Sequence, residues 1–130
     1  MPEKPSKKDF LFTCPFLHPT MLIRRDALIK IGGYRVGWDT KKAEDYDLYM
    51  RLYAKGFLGV NLQEKLYRYR FERKGKRKRN FLDRLGETWV RIRGFSQMKI
   101  GVKGFFYAFK PLIVWLLPQK MIGKRRKYIK

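Results

Sequence analysis

Glu44, Asp45 and Asp47 place three carboxylates within four residues of a chain that has only 11 Asp and Glu against 32 Lys and Arg. This cluster, with the periodicity on which it sits, constrains the fold more than any other stretch. Asp45, Leu48, Tyr49, Leu52 and Tyr53 recur at helical spacing, so a helix running from here to about Gly56 carries Asp45 on its apolar face. A carboxylate on that face looks into a core or a cleft. In the first turn it also meets the positive end of the helix dipole, which favours the ionised form a general base needs. The same acids also suit the ordinary task of capping a helix, and spacing alone leaves both roles open.

The segments around this helix read as short elements. Residues 25–31 form a helix with Ala27, Leu28 and Ile31 inward, stopped by Gly32 and Gly33, which tolerate positive φ at a helix end. Residues 20–23, 57–60 and 65–70 read as strands. In the last of these Leu66, Arg68 and Arg70 share one face while Tyr67 and Tyr69 share the other. His18, held in a turn by Pro19, is either a hydrogen-bonded turn residue or a cleft residue able to contact a phosphate, an acceptor or a metal. Trp38, in the loop of residues 34–42, offers a flat apolar face that suits a sugar ring, or else packs under its own loop.

The order and spacing of these pieces resemble a known family. His18-Pro19-Thr20-Met21, Arg24-Arg25-Asp26-Ala27-Leu28, Ile31-Gly32-Gly33-Tyr34-Arg35, Glu44-Asp45-Tyr46-Asp47-Leu48, Arg51-Leu52, Lys55-Gly56 and Leu66-Tyr67-Arg68-Tyr69-Arg70 are similar to the acceptor-side half of family 2 glycosyltransferases. The match covers roughly residues 14–71. The resemblance implies an inverting enzyme of the GT-A fold in which Asp45 is the catalytic base, Glu44 lies beside it near the acceptor, and His18 lies at the cleft; Trp38 is a further substrate-binding candidate from its aromatic face alone. The expected fold class is therefore α/β: a partial GT-A-like domain of short strands and a central acidic helix, followed by C-terminal amphipathic helices. A complete enzyme of this kind adds a nucleotide-sugar-binding βαβ half and a divalent cation, Mg or Mn, held by Asp-x-Asp. Neither is expected here, because Asp45-Tyr46-Asp47 lies inside the acceptor-side helix and no other such motif occurs. The chain thus reads as the C-terminal part of a glycosyltransferase, truncated, split from a separate donor-binding half, or left as a remnant of gene breakage, and inactive in isolation. Relatives continue after the Tyr-Arg strand with a His- and Ser-containing loop, whereas this chain offers basic residues.

The expected organisation is a flexible lead-in at 1–9, the acceptor-side portion at 10–72, a basic loop at 73–79 with six positive charges in seven residues, and amphipathic helices with a basic tail at 80–130. In the first C-terminal helix Phe81, Leu85, Thr88, Trp89 and Ile92 define one face, with Arg84, Glu87 and Arg91 on the other. A second stripe of Phe105, Phe106, Phe109, Leu112, Ile113 and Leu116 is too short to span a bilayer. Residues 88–130 contain eleven Lys or Arg and no Asp or Glu, so the stripe suits either an anionic membrane surface or the protein core. The formal charge of +21 makes polyanions the expected partners. Membrane attachment at the cytoplasmic face fits that charge, and the resemblance implies a nucleotide-sugar donor and a glycan or lipid-linked acceptor for the complete enzyme. A basic nucleic-acid-binding module is the alternative, though its aromatics follow the amphipathic periods of core residues. The single cysteine, Cys14, allows no internal disulfide, and no Cys/His spacing suits zinc. A reducing cytoplasm fits, as does an N-terminus without the apolar stretch of a secretory signal.

Overall fold

Tyr46, Leu48, Tyr49, Met50, Leu52 and Tyr53 are all buried, which makes the helix Glu44–Ala54 (α2) the element around which the core assembles. The computed structural model describes residues 1–68, 70 and 79–117. The expected basic loop, apart from Arg79, and the basic tail beyond 117 lie outside the described residues, as does Tyr69.

Before α2, the helix Arg25–Lys30 (α1) ends where the pattern of glycines predicts. Gly32 and Gly33 take φ of 73° and 67°, and the Gly33 N–H closes onto the Leu28 carbonyl at 2.9 Å. Short 3-10 turns at Lys7–Leu11 and His18–Thr20 precede it. The hydroxyls of Tyr46 and Tyr53 donate to the carbonyls of Phe10 and Pro5, and the Asn61 N–H donates to the Glu3 carbonyl at 2.7 Å. Phe10 is thereby enclosed, with its ring against Phe16, Tyr46 and Tyr53.

The helix Phe81–Gln97 (α3) packs across α2 and is covered in turn by Val102–Ala108 (α4) and Lys110–Leu116 (α5). A capping box starts α3. The Asp83 N–H donates to Asn80 Oδ1 at 2.7 Å and the Asn80 N–H donates to Asp83 Oδ2 at 3.1 Å. Two glycines set how closely α3 approaches its neighbours: Gly94 lies against the Met50 side chain, and Gly86 against the backbone of Asp39.

The α/β, GT-A-like fold expected from the resemblance is not what forms. Among the described residues there is no strand, and the ordered elements are helical. The physical reason is that a strand exists only through its ladder. The described parts of the three expected strands are extended or irregular segments with no neighbouring strand, and Leu22 and Leu58 on them are 98% and 80% exposed. Alternating apolar residues signal a surface ready to pleat, not the partner that completes it.

The first C-terminal helix also differs from expectation in which face it buries. In α3 the inward residues are Gly86, Thr88, Val90, Arg91, Gly94 and Phe95, while Phe81 and Trp89 are exposed. Arg91 is inward because its guanidinium lies over the Tyr46 ring, 4.8 Å from the centroid, and donates to the Leu11 carbonyl at 3.3 Å. In α4 and α5 the buried positions are Gly104, Ala108 and Pro111, and most of the aromatic stripe faces out. Small residues give α3 the closer approach, and a reading based on hydrophobicity does not count glycine as core. Among the described residues no helix is long and apolar enough to cross a membrane.

Candidate functional site

The first turn of α2 separates its three carboxylates by burial. Glu44 is exposed, Asp45 is half-buried and Asp47 is buried at 3% exposure. Ala43, at the N-cap, supplies no side-chain acceptor, and Asp45 Oδ1 accepts the Tyr46 N–H at 2.7 Å.

Asp47 belongs to an ion-pair network. Its carboxylate takes Arg51 Nε at 2.7 Å and an Arg35 guanidinium nitrogen at 3.2 Å, while Arg35 also holds Asp39 at 2.7 Å. Arg93 of α3 reaches Asp39 at 3.3 Å. Arg51 then spends its remaining donors on the turn after α1, donating to the carbonyls of Ile31 and Gly33, each at 2.7 Å. The network fixes the chain entering Tyr34 and the loop leading to α2. It also removes Asp47 from contention as an acid or base, since both of its oxygens are occupied by guanidinium groups.

Asp45 faces a different neighbourhood. His18 Nδ1 lies 2.7 Å from the Tyr49 hydroxyl and His18 Nε2 lies 3.4 Å from the Tyr34 hydroxyl, so one exposed imidazole links two phenols. Burial pushes the Tyr49 hydroxyl well above its usual range, with the charges of Cys14, Tyr34 and Asp45 adding to the effect. Tyr34 is raised first by burial and then by the charges of Asp45 and Glu44. The Cys14 thiol is pushed up to about 12, mainly by burial and further by Asp45, against the opposing effects of the Phe16 backbone and Arg91. These groups therefore remain neutral near pH 7 and can donate hydrogen bonds beside a carboxylate that can accept a proton.

Of the residues singled out in the sequence, His18 is hydrogen-bonded to Tyr34 and Tyr49, and the charge of Asp45 bears on both of those hydroxyls while that of Glu44 bears on Tyr34. Trp38 is not part of that group; it is 65% exposed on the loop that Thr40 organises through bonds to Gly37 and Arg35. Tyr34, Tyr49 and Cys14 were not singled out for this site, because a tyrosine on an apolar helical face reads as core and its hydroxyl has no periodicity. The Asp47 and Arg51 pair did have a signal, the i,i+4 spacing of opposite charges.

The described residues offer no set suited to the divalent cation of a complete enzyme. No group of three or more His, Cys, Asp or Glu among the described residues stands close enough to hold a metal ion. Asp45 and Asp47, two apart on a helix, diverge, and Asp47 is already neutralised by two arginines.

Over 113 residues the chain is 31% identical to a Bacillus subtilis (strain 168) protein named "Putative glycosyltransferase EpsE". The similarity takes in 87% of this chain but 41% of that protein, so the chain spans about two fifths of the length of the curated relative it matches. No family model matches the chain, and no solved structure matches it.

Proposed function

We propose that this chain forms the acceptor-side portion of an inverting, family 2 glycosyltransferase that moves a sugar from a nucleotide-sugar to an acceptor hydroxyl in the synthesis of cell-surface glycan. The observation that carries this reading is the placement of Asp45, half-buried at the start of α2 where its charge bears on the Tyr34 and Tyr49 hydroxyls that His18 links, in a chain similar to a protein named as a glycosyltransferase. In the proposed step the acceptor oxygen attacks the anomeric carbon and the bond from that carbon to the donor phosphate breaks. The nucleoside diphosphate leaves with the electron pair, the configuration inverts, and the acceptor proton passes to the Asp45 carboxylate. His18 and the two phenols orient the acceptor by hydrogen bonds, and Glu44 lies at the exposed rim. A donor-binding half completes the enzyme.

The test joins this chain to a donor-binding half and follows nucleoside diphosphate release with a panel of nucleotide-sugars. Asp45→Asn keeps the shape of the side chain and removes the base, so turnover should fall by about 10²–10⁴-fold. Turnover close to that of the unmodified protein would take Asp45 out of the chemistry.

A further inference from the structure

The outward side of α4 and α5 is more apolar than the side they bury. Gly104, Ala108 and Pro111 face inward, whereas Val102, Phe105, Phe106, Ile113, Leu116 and Leu117 stand in solvent, Phe106 at 68% and Leu116 at 73% exposure. Phe105 gathers Phe106 and Phe109 around it, with ring centroids at 6.1 and 5.2 Å. Between the end of α3 and the start of α4 lies a groove of about 540 Å³ lined by Ile92, Phe95, Val102 and Phe105, with Lys99 and Ser96 among them. An apolar face of this extent marks an interaction surface.

The charge around that face identifies the occupant. Lys99 and Lys103 are exposed beside it. From residue 88 to the last residue the sequence holds eleven Lys or Arg and no Asp or Glu, in a chain of net charge +21. Aromatic and aliphatic side chains with lysine at their edge, in a stretch of sequence without acids, are what the boundary between anionic headgroups and acyl chains takes up. Helices of seven residues are too short to span a bilayer but long enough to lie in its surface. We propose that α4 and α5 dock this chain onto an anionic lipid bilayer, with Phe105, Phe106 and Leu116 inserted among the acyl chains and Lys99 and Lys103 at the headgroups. The proposal stands apart from the catalytic reading, because none of these residues touches the His18, Tyr34 and Tyr49 group.

Flotation of the full chain with vesicles tests it, comparing phosphatidylglycerol in phosphatidylcholine with phosphatidylcholine alone at about 0.1 and about 0.5 M NaCl. Binding should require the anionic lipid and persist in part at the higher salt, since apolar insertion is not screened. The triple variant Phe105→Ser, Phe106→Ser, Leu116→Ser alters exposed positions only, and its helicity by circular dichroism should match the parent. Its binding should fall at least about tenfold at both salts. Trp115 gives an independent reading. In a Trp38→Phe, Trp89→Phe background its emission should be quenched by lipids brominated along the acyl chains. Full elution of the parent at high salt, with no effect of the serines and no quenching, would show adsorption by charge alone and overturn the proposal. So would a parent that forms a dimer, fails to float, and becomes monomeric with the three serines, because the face would then belong to a second copy of the chain.

Discussion

Arg51 joins α2 to the turn that follows α1 through a single side chain, and its replacement gives a demanding test of how the site is held. Its Nε donates to Asp47 Oδ2 and its two terminal nitrogens donate to the carbonyls of Ile31 and Gly33, all at 2.7 Å, with the side chain 14% exposed. Each hydrogen bond to a charged group contributes about 1.5–3 kcal/mol when the site is largely buried. Three such bonds from one guanidinium are not independent, so their sum overstates the effect. Arg51→Met keeps a similar stem against α2, strands two carbonyls and leaves Asp47 with Arg35 alone. Its destabilisation should be about 3–4 kcal/mol, below the roughly 7–20 kcal/mol expected for a chain of this length. The variant should therefore fold. Arg51→Lys retains a charge for Asp47 but cannot reach the carboxylate and both carbonyls from one nitrogen, and should lose about 2 kcal/mol. Urea unfolding followed by tryptophan fluorescence measures both. If Arg51→Met lies within about 0.5 kcal/mol of the parent, or Arg51→Lys matches the parent, the three-way tie is not what holds the turn.

Two further outcomes follow from groups described above. The Cys14 thiol ionises near 9 when free and at about 12 in the folded chain, so its contribution is intact below pH 9 and is lost as pH rises from 9 towards 12, at up to about 1.4 kcal/mol per pH unit. Tyr46, Tyr49 and Tyr53 are raised in the same sense from 10; a pH series of unfolding curves should show the onset move from about 9 to about 10 in Cys14→Ala, and an unchanged onset would contradict the assignment. Gly86→Ala gains about 1 kcal/mol of helix propensity, but its methyl group would sit 2.9 Å from the Asp39 carbonyl oxygen, where backbone rather than a flexible side chain must move. Net destabilisation of about 1 kcal/mol is expected in thermal unfolding, and a stabilised variant would show that the loop carrying Asp39 yields freely.

The parts of the fold that were legible in the sequence are those set by local interactions. The glycine stop after α1, the extent of α2 and the existence of a helix after residue 80 depend on neighbours three or four residues away, and periodicity records them. Strands at 20–23, 57–60 and 65–70 were not decidable in this way, because pairing depends on what lies beside the segment and not on the segment itself. The buried face of α3 differs from its apolar stripe for a related reason: Gly86 and Gly94 admit close contact through the absence of a side chain, and Arg91 becomes inward only because Tyr46 offers a ring. At the candidate site, the carboxylates and His18 stand out in the sequence, whereas the phenols hydrogen-bonded to His18 do not.

Three tyrosines along one side of α2 reach three earlier points of the chain: Tyr46 to Phe10, Tyr49 to His18 and Tyr53 to Pro5. Their separations are 36, 31 and 48 residues. Loop-closure entropy varies with the logarithm of length, so these three closures differ from one another by only about 0.4 kcal/mol. None therefore has a marked kinetic advantage once the helix exists. A helix of 11 residues is marginal on its own and draws its stability from what packs against it, so α2 and these closures stabilise one another. The first twenty residues, with little regular structure of their own, are ordered together with the helix, and the register of the tyrosine hydroxyls decides where each part of that segment comes to rest.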